Sequence, residues 1–344
     1  MLSALIPPNA LAQLTQALAQ KQWFKVIAGA SLNDAPLLQH LATVYAQAGA
    51  TCLDIGPHPT LLPVLEAVAH QLAQHGHTLP PVMVSLDVDG DPHFRKVAVE
   101  QAACIACGVC LPLCPTQALS LTPDPQAPLG IHLPACYGCD RCVADCPTQA
   151  LSMVPLATLP QPMAEMLHHP LVQAVELHVA HLQQDTLQAF WQRLPAEVWQ
   201  GKLVSLCFRP AEVIDWHEAE AALLTLNQLA RRDGATLMLQ VDGKPMSGTT
   251  EANCSLPALE GVKLLLTHCP WLGEGEQAWP ITVSGGINQH TPTLLAQHGL
   301  ADVVCGAGLG TVARQWLGSR QTPQAEAVQR AQQLVSTFCS GVLV

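Results

Sequence analysis

Positive charge is scarce in this chain. Lys and Arg number 15 against 26 Asp and Glu, and charged residues make up only 12 % of the 344 residues, for a formal charge of −11. So few basic side chains leave no footprint for a phosphate backbone, which excludes general nucleic-acid binding. They also leave nothing for an anionic lipid surface. No apolar run approaches the roughly 18 residues of a membrane helix, so no transmembrane segment is expected. The opening MLSALIPPNALAQL has neither a basic segment nor a small-residue cleavage site, so no secretory signal is read and a cytoplasmic protein is expected. Hydrophobic residues are not lacking: at 49 % they exclude a disordered chain. Nucleophile-elbow, P-loop and HExxH patterns are absent. So is a G-x-G-x-x-G after the first apolar run, where the chain reads GASLND.

Cysteine is what the chain has in excess. Fourteen in a sequence without a secretory signal point to metal or redox chemistry rather than a disulfide framework. Eight of them form two runs of C-x2-C-x2-C-x3-C-P: Cys104, Cys107, Cys110, Cys114 with Pro115, and Cys136, Cys139, Cys142, Cys146 with Pro147. This is the spacing of bacterial two-cluster ferredoxins, in which the fourth cysteine of each run ligates the other cluster. One [4Fe–4S] cluster is therefore assigned to Cys104, Cys107, Cys110 and Cys146, and a second to Cys136, Cys139, Cys142 and Cys114. The segment CPTQALS occurs at Cys114–Ser120 and again at Cys146–Ser152, which marks a duplicated half-module. Two zinc sites are the alternative, but structural zinc uses separated CxxC pairs rather than triples followed by CP. A purely structural role for the clusters is the other alternative.

Outside residues 94–153 the chain alternates short β-branched runs with helical patterns. Strands are expected at Lys25–Ala30, Thr51–Gly56, Pro81–Val88, Ala174–Val179, Lys202–Phe208, Thr236–Val241, Ile281–Gly285 and Ala301–Gly306. Helices are expected at Asp34–Ala48 (Asp34 as N-cap, Gly49 as stop), Thr60–Gln74, Met163–His168, Asp185–Gln200, Asp215–Arg232, Ser255–Leu266, Thr291–His298 and Gln324–Phe338. Eight βα units predict an α/β fold, a (β/α)8 barrel-like domain built from residues 1–93 and 154–344. An α+β bacterial-type 2[4Fe–4S] ferredoxin module, residues 94–153, is inserted after the third strand. Asn9–Gln20 is read as a helix plugging the N-terminal end. An open doubly wound sheet is the alternative.

The loops after strands seven and eight of such barrels often hold phosphate. Here they read SGGINQHT and GAGLGT, so Gly285, Gly286, Gly306 and Gly308 are candidates for a phosphate or flavin loop, with plain turn glycine as the alternative. Asp54, Asp87 and Asp242 fall at strand ends, and His178 near the end of the fourth strand could point inward, although a lone histidine there is more often core. No catalytic set is found. Nothing decides whether the chain is an enzyme, and the non-catalytic reading is preferred; an enzyme so built would be an oxidoreductase.

FKVIAGAS, AGATCLDIGPHP, the paired cysteine runs, LQVDGKPMSG and VSGGINQHT together resemble the cyanobacterial light-dependent period (LdpA) family. The resemblance implies an iron–sulfur protein that reports the photosynthetic redox and light state to the circadian clock and modulates its period. It implies clock proteins as partners and no established catalysis. Two alternatives remain: a flavin-dependent oxidoreductase with a built-in ferredoxin module, holding FMN or a quinone in the barrel, and a simple electron-transfer protein.

Overall fold

The computed structural model describes residues 9–156, 160–244, 251–275, 278–318 and 322–339. The ends of the chain and Pro245–Gly248 of the LQVDGKPMSG segment lie outside the described residues.

Three parallel strands open the chain: β1 (Trp23–Gly29), β2 (Cys52–Ile55) and β3 (Val82–Asp87). Four short antiparallel strands follow: β4 (Arg95–Val99), β5 (Leu119–Leu121), β6 (Leu129–Ile131) and β7 (Leu151–Pro155). Five more parallel strands complete the set: β8 (Val172–His178), β9 (Leu203–Phe208), β10 (Thr236–Asp242), β11 (Ile281–Ser284) and β12 (Val304–Leu309). The eight parallel strands close in the order β1-β12-β11-β10-β9-β8-β3-β2, so the expected (β/α)8 barrel is present and the open sheet is not.

Local signals work where they are read correctly. Asp34 caps the helix Ala35–Ala48 by accepting from Leu37 N at 3.0 Å, and Gly49 ends it in the left-handed conformation. The first helix, Ala10–Ala19, presents Leu14, Ala17 and Leu18 to a layer of Trp23, Cys52, Met83, Ala174, Leu203 and Met238, plugging the barrel floor as expected. Side chains two residues further along these strands point the same way. They give the next layer, Lys25, Asp54, Ser85, Glu176, Ser205 and Gln240, all buried and all polar.

Two expectations need correction. The predicted helix Asp185–Gln200 stops at Gln192, because Pro195 lacks the N–H that would continue it, and Ala196–Val198 form a separate turn. The predicted eighth strand is three residues early: β12 runs through Val304–Leu309, so Gly306 and Gly308 are strand residues rather than loop residues. An added helix, Thr311–Trp316, follows it.

The ferredoxin-like module occupies the connection from β3 to β8. Strands β4 and β7 pair with each other, as do β5 and β6. Its internal repeat is visible in the backbone. Positive φ recurs at Ala106 and Gly138, at Gly108 and Asp140, and at Gln117 and Gln149, each pair at equivalent places in the two halves. These tight left-handed turns gather the thiols.

Gly306 has a steric reason to be glycine. Its φ is +144°, and a Cβ there would lie 2.0 Å from Trp23 O across the β1–β12 closure. Gly306→Ala is therefore expected to destabilise the barrel by about 2–4 kcal/mol. Chemical denaturation should show a lower midpoint at unchanged slope; a loss under about 0.5 kcal/mol would contradict the close approach.

Candidate functional site

Two cavities of about 350 Å³ each lie in the module. The first is lined by Cys104, Cys107, Cys110 and Cys146, the second by Cys114, Cys136, Cys139 and Cys142. The fourth cysteine of each run thus joins the other run's triple. Electrostatics gives the same grouping. Burial, then Cys107, Cys104 and Cys146, push the Cys110 thiol up. Burial, then Cys139, Cys136 and Cys114, push Cys142 up to about 12. Four thiolates so close resist joint ionisation until a cation shares their charge, which suits an iron–sulfur cluster. Cys146 goes the other way: burial works against it, but the N–H groups of Leu151, Ala150 and Thr148 together lower its pKa. Its counterpart Cys114 accepts from Ala118 N at 3.2 Å. The two sites differ in setting. Cys107 is exposed and Ile105, on the same loop, is 65 % exposed, whereas Cys136 and Cys142 are buried.

The second site faces the barrel. Tyr137, between Cys136 and Cys139 in the chain, lines both the second cysteine cavity and a cleft of about 790 Å³ in the barrel mouth. The Arg314 guanidinium lies 5.0 Å over its ring and donates to Ile27 O and Ala28 O at 3.0 and 2.7 Å. Gly138 packs on β4, where a Cβ would meet Arg95 O at 2.4 Å. Lys96 Nζ donates to Leu133 O and Cys136 O, both at 2.6 Å.

The floor of the mouth is a buried charge network. Lys25 is ion-paired with Glu176 and lies 3.4 Å from Asp54. Burial alone would discharge it, but the two carboxylates hold it protonated. Burial would raise Glu176 as well; Lys25 and His178 instead bring it down to about 2. Asp54, the more distant partner, is pushed up to about 6 by burial despite Lys25. Glu176 also accepts from Ser205 Oγ at 3.0 Å and Gln240 Nε2 at 2.9 Å, and lies 3.0 Å from His178 Nε2. Above it Asp242 accepts from Ser284 Oγ at 2.9 Å, and Arg209 lies 3.3 Å from Asp91 and 3.7 Å from Asp242.

Of the residues singled out from sequence, Asp54, His178, Asp242, Gly285, Gly286 and Gly308 line this cleft. Asp87 serves a turn instead, accepting from Gly90 N and Asp91 N at 2.8 and 2.9 Å. Gly306 belongs to the strand pairing against Trp23, so the four-glycine loop is corrected to three residues at the cleft. Gly285 and Gly286 are also tightly packed: a Cβ would meet Asp242 Oδ1 at 2.4 Å and Cys254 O at 2.2 Å. Lys25, Asp91, His93, Glu176, Arg209 and Gln240 were missed. Lys25 and Glu176 sit inside mostly apolar strands, and the available signal was a charge at an inward-facing strand position.

Taken together, these features define an iron–sulfur protein in which a 4Fe–4S dicluster module is inserted into a (β/α)8 barrel. Residues 103–150 match the family model for a 4Fe-4S dicluster domain, and residues 166–339 match that for the light dependent period A C-terminal domain. The chain is 31 % identical to "Light dependent period A" of Synechococcus elongatus, over 90 % of this chain and 85 % of that protein. The chain belongs to the light dependent period A family. Similar solved structures include a tryptophan synthase of Mycobacterium tuberculosis, with 11 % identity, 97 % of each chain covered and a TM-score of 0.43. Another is a truncated 3-deoxy-D-arabino-heptulosonate 7-phosphate synthase of Thermotoga maritima, with 12 % identity, 91 % of this chain and 84 % of that one covered, and a TM-score of 0.42. No described helix is long and apolar enough to cross a membrane.

Lys25→Met keeps the volume and removes the charge that Glu176 and Asp54 face. It is expected to cost about 3–5 kcal/mol by denaturant unfolding, because a buried carboxylate loses its partner. Adding Glu176→Gln should recover part of that loss, and strictly additive effects would show that the pair is not coupled.

Proposed function

We propose that this protein is an iron–sulfur redox sensor that reports the light-dependent state of photosynthetic electron transport to the circadian clock and modulates its period. Residues 94–153 form the sensing module, and residues 1–93 with 154–344 the barrel. Cys104, Cys107, Cys110 and Cys146 hold one [4Fe–4S] cluster; Cys136, Cys139, Cys142 and Cys114 hold the other. The observation that carries the reading is the placement of the inner cysteine cavity against the barrel through Tyr137 and Arg314. Electrons enter at the outer, solvent-exposed cluster and pass to the inner one. Reduction adds negative charge beside an already acidic barrel. A clock-protein partner that prefers one charge state shifts the populations accordingly. The family name, light dependent period, supports the clock assignment. The protein works in the cytoplasm.

A second reading, an oxidoreductase with FMN or a quinone in the barrel, is favoured by one observation: the cleft shares Tyr137 with the inner cysteine cavity. Its deep wall suits a phosphate poorly, because Asp54, Glu176 and Asp242 face the space. A flavin phosphate would rest instead at Gly285 and Gly286, since Gly308 lies in β12 beside Lys25 and Gln240. Flavin released by heating anaerobically purified protein would favour this reading over the sensor.

Ligation across the two runs is tested by pairing variants. Cys114→Ala should abolish the same EPR signal as Cys139→Ala, with loss of about four irons per chain. A match to Cys107→Ala instead would mean that each run holds its own cluster.

The sensor reading is tested by removing both clusters. The double variant Cys107→Ala with Cys139→Ala should keep the barrel's circular dichroism and a cooperative melt, because the host core is independent of the insertion. It should lose any difference in clock-protein binding between reduced and oxidised conditions. Global unfolding would assign the clusters a structural role, and a surviving redox response would place sensing elsewhere.

A further inference from the structure

We propose that Asp91, His93 and His178 form a mononuclear site for a divalent transition-metal ion in the barrel mouth, separate from the thiolate clusters. One ligand atom from each of the three lies within 4.8 Å of the others. Two imidazoles and a carboxylate are a nitrogen–oxygen donor set suited to Fe²⁺, Co²⁺ or Zn²⁺ rather than to Ca²⁺ or Mg²⁺. The three come from two barrel connections. His178 ends β8, while Asp91 and His93 lie in the turn between β3 and the module.

The surroundings already have the form of a metal site. A metal-ligating histidine usually gives its other ring nitrogen to a carboxylate, which fixes the ring. His178 does so: Nε2 lies 3.0 Å from Glu176, and that carboxylate is itself held by Lys25, Ser205 and Gln240. This leaves Nδ1 buried without a hydrogen-bond partner, 3.8 Å from Asp91 Oδ1, in a residue only 6 % exposed. Asp91 divides its oxygens in the same way. Oδ2 faces Arg209 at 3.3 Å, and Oδ1 faces the two histidines. A second buried atom without a hydrogen bond, Asp242 Oδ2, lies 3.9 Å from His93 Nε2 and 3.7 Å from Arg209.

Charge balance points the same way. Asp54, Glu176, Asp91 and Asp242 bring four carboxylates to the mouth, and Lys25 and Arg209 bring two cations. Arg314 also lines the cleft, so these carboxylates exceed the cations by one, an excess that a bound cation offsets. His93, His178 and Asp242 line the cleft, so the ion would keep open positions toward it for a small oxygen- or nitrogen-donor ligand. A second set, Glu176, His178 and Cys207, also converges, but Glu176 is already saturated by its four partners.

Cobalt is the probe, because the protein's iron does not obscure it. Anaerobically purified, cluster-loaded full-length protein is incubated with Co²⁺ and desalted, and bound metal is measured by mass spectrometry. About one cobalt per chain is expected, with only nitrogen and oxygen scatterers at the cobalt absorption edge. His178→Ala and His93→Gln should each lower retention about tenfold or more with the cluster EPR unchanged. His93 is partly exposed at the cleft, so His93→Gln decides the matter if His178→Ala does not fold. No retained cobalt, equal retention in the variants, or sulfur scatterers would overturn the proposal. In the last two cases the ion sits on other residues, and in the first the three side chains hold one another without a metal. Loss of the cluster signals with cobalt retention intact would count against the cluster assignment and leave this site standing.

Discussion

The contact on which the mouth of the barrel depends is the buried ammonium of Lys25 between Glu176 and Asp54. It ties three strands, β1, β2 and β8, at one level of the interior. An isolated charge at that depth would be prohibitive, so the three groups are present together or not at all. Once Glu176 is held ionised, it can accept from Ser205 and Gln240 and orient His178. One layer further up, Asp91, His93, Arg209 and Asp242 inherit their positions from that arrangement. The floor below is apolar and closed by the N-terminal helix. The barrel is therefore graded along its axis, from a sealed hydrophobic end to a charged, open one.

The inserted module makes use of that gradient. An insertion after β3 emerges at the charged end, and the C-Y-G-C segment of the second cysteine run turns back onto the mouth. Gly138 permits this because any side chain there would collide with Arg95 O. Tyr137 is then shared between a cysteine cavity and the barrel cleft. The duplicated halves thus have unequal neighbours. The equivalent loop of the first run carries Ile105 and Ala106 where the second has Tyr137 and Gly138, and it points to solvent. A symmetric gene product has acquired an outer and an inner end.

Much of this was legible from residues alone. Eight cysteines at fixed spacing, with a repeated CPTQALS, specify a local structure that needs little context. Asp34 and Gly49 delimit a helix because capping is a local matter of one hydrogen bond and one backbone angle. What escaped depends on partners distant in sequence. The segment Gly306–Thr311 reads as a glycine loop, yet Gly306 is needed for contact with Trp23 and Gly308 leaves room for Lys25 and Gln240. Lys25 and Glu176 lie in runs that read as buried strands, and only closure of the sheet shows that each is the other's partner. Pro195 was an available signal that the helical periodicity before it obscured.

The same separation of local and distant constraints bears on how the two halves of the molecule communicate. The module meets the barrel where Asn33 N donates to Pro134 O and where the Arg314 guanidinium lies over the Tyr137 ring. Such contacts fix geometry without neutralising charge. A negative charge added at the inner cysteine site is therefore not cancelled where the two parts meet. Arg314, over the Tyr137 ring, and Lys96, on the Cys136 carbonyl, are the cations placed to respond to it. Both are held by carbonyls rather than carboxylates, and burial lowers the pKa of each, that of Lys96 to about 8. A charge placed at that site would act on Arg314, and so on the barrel mouth, through space.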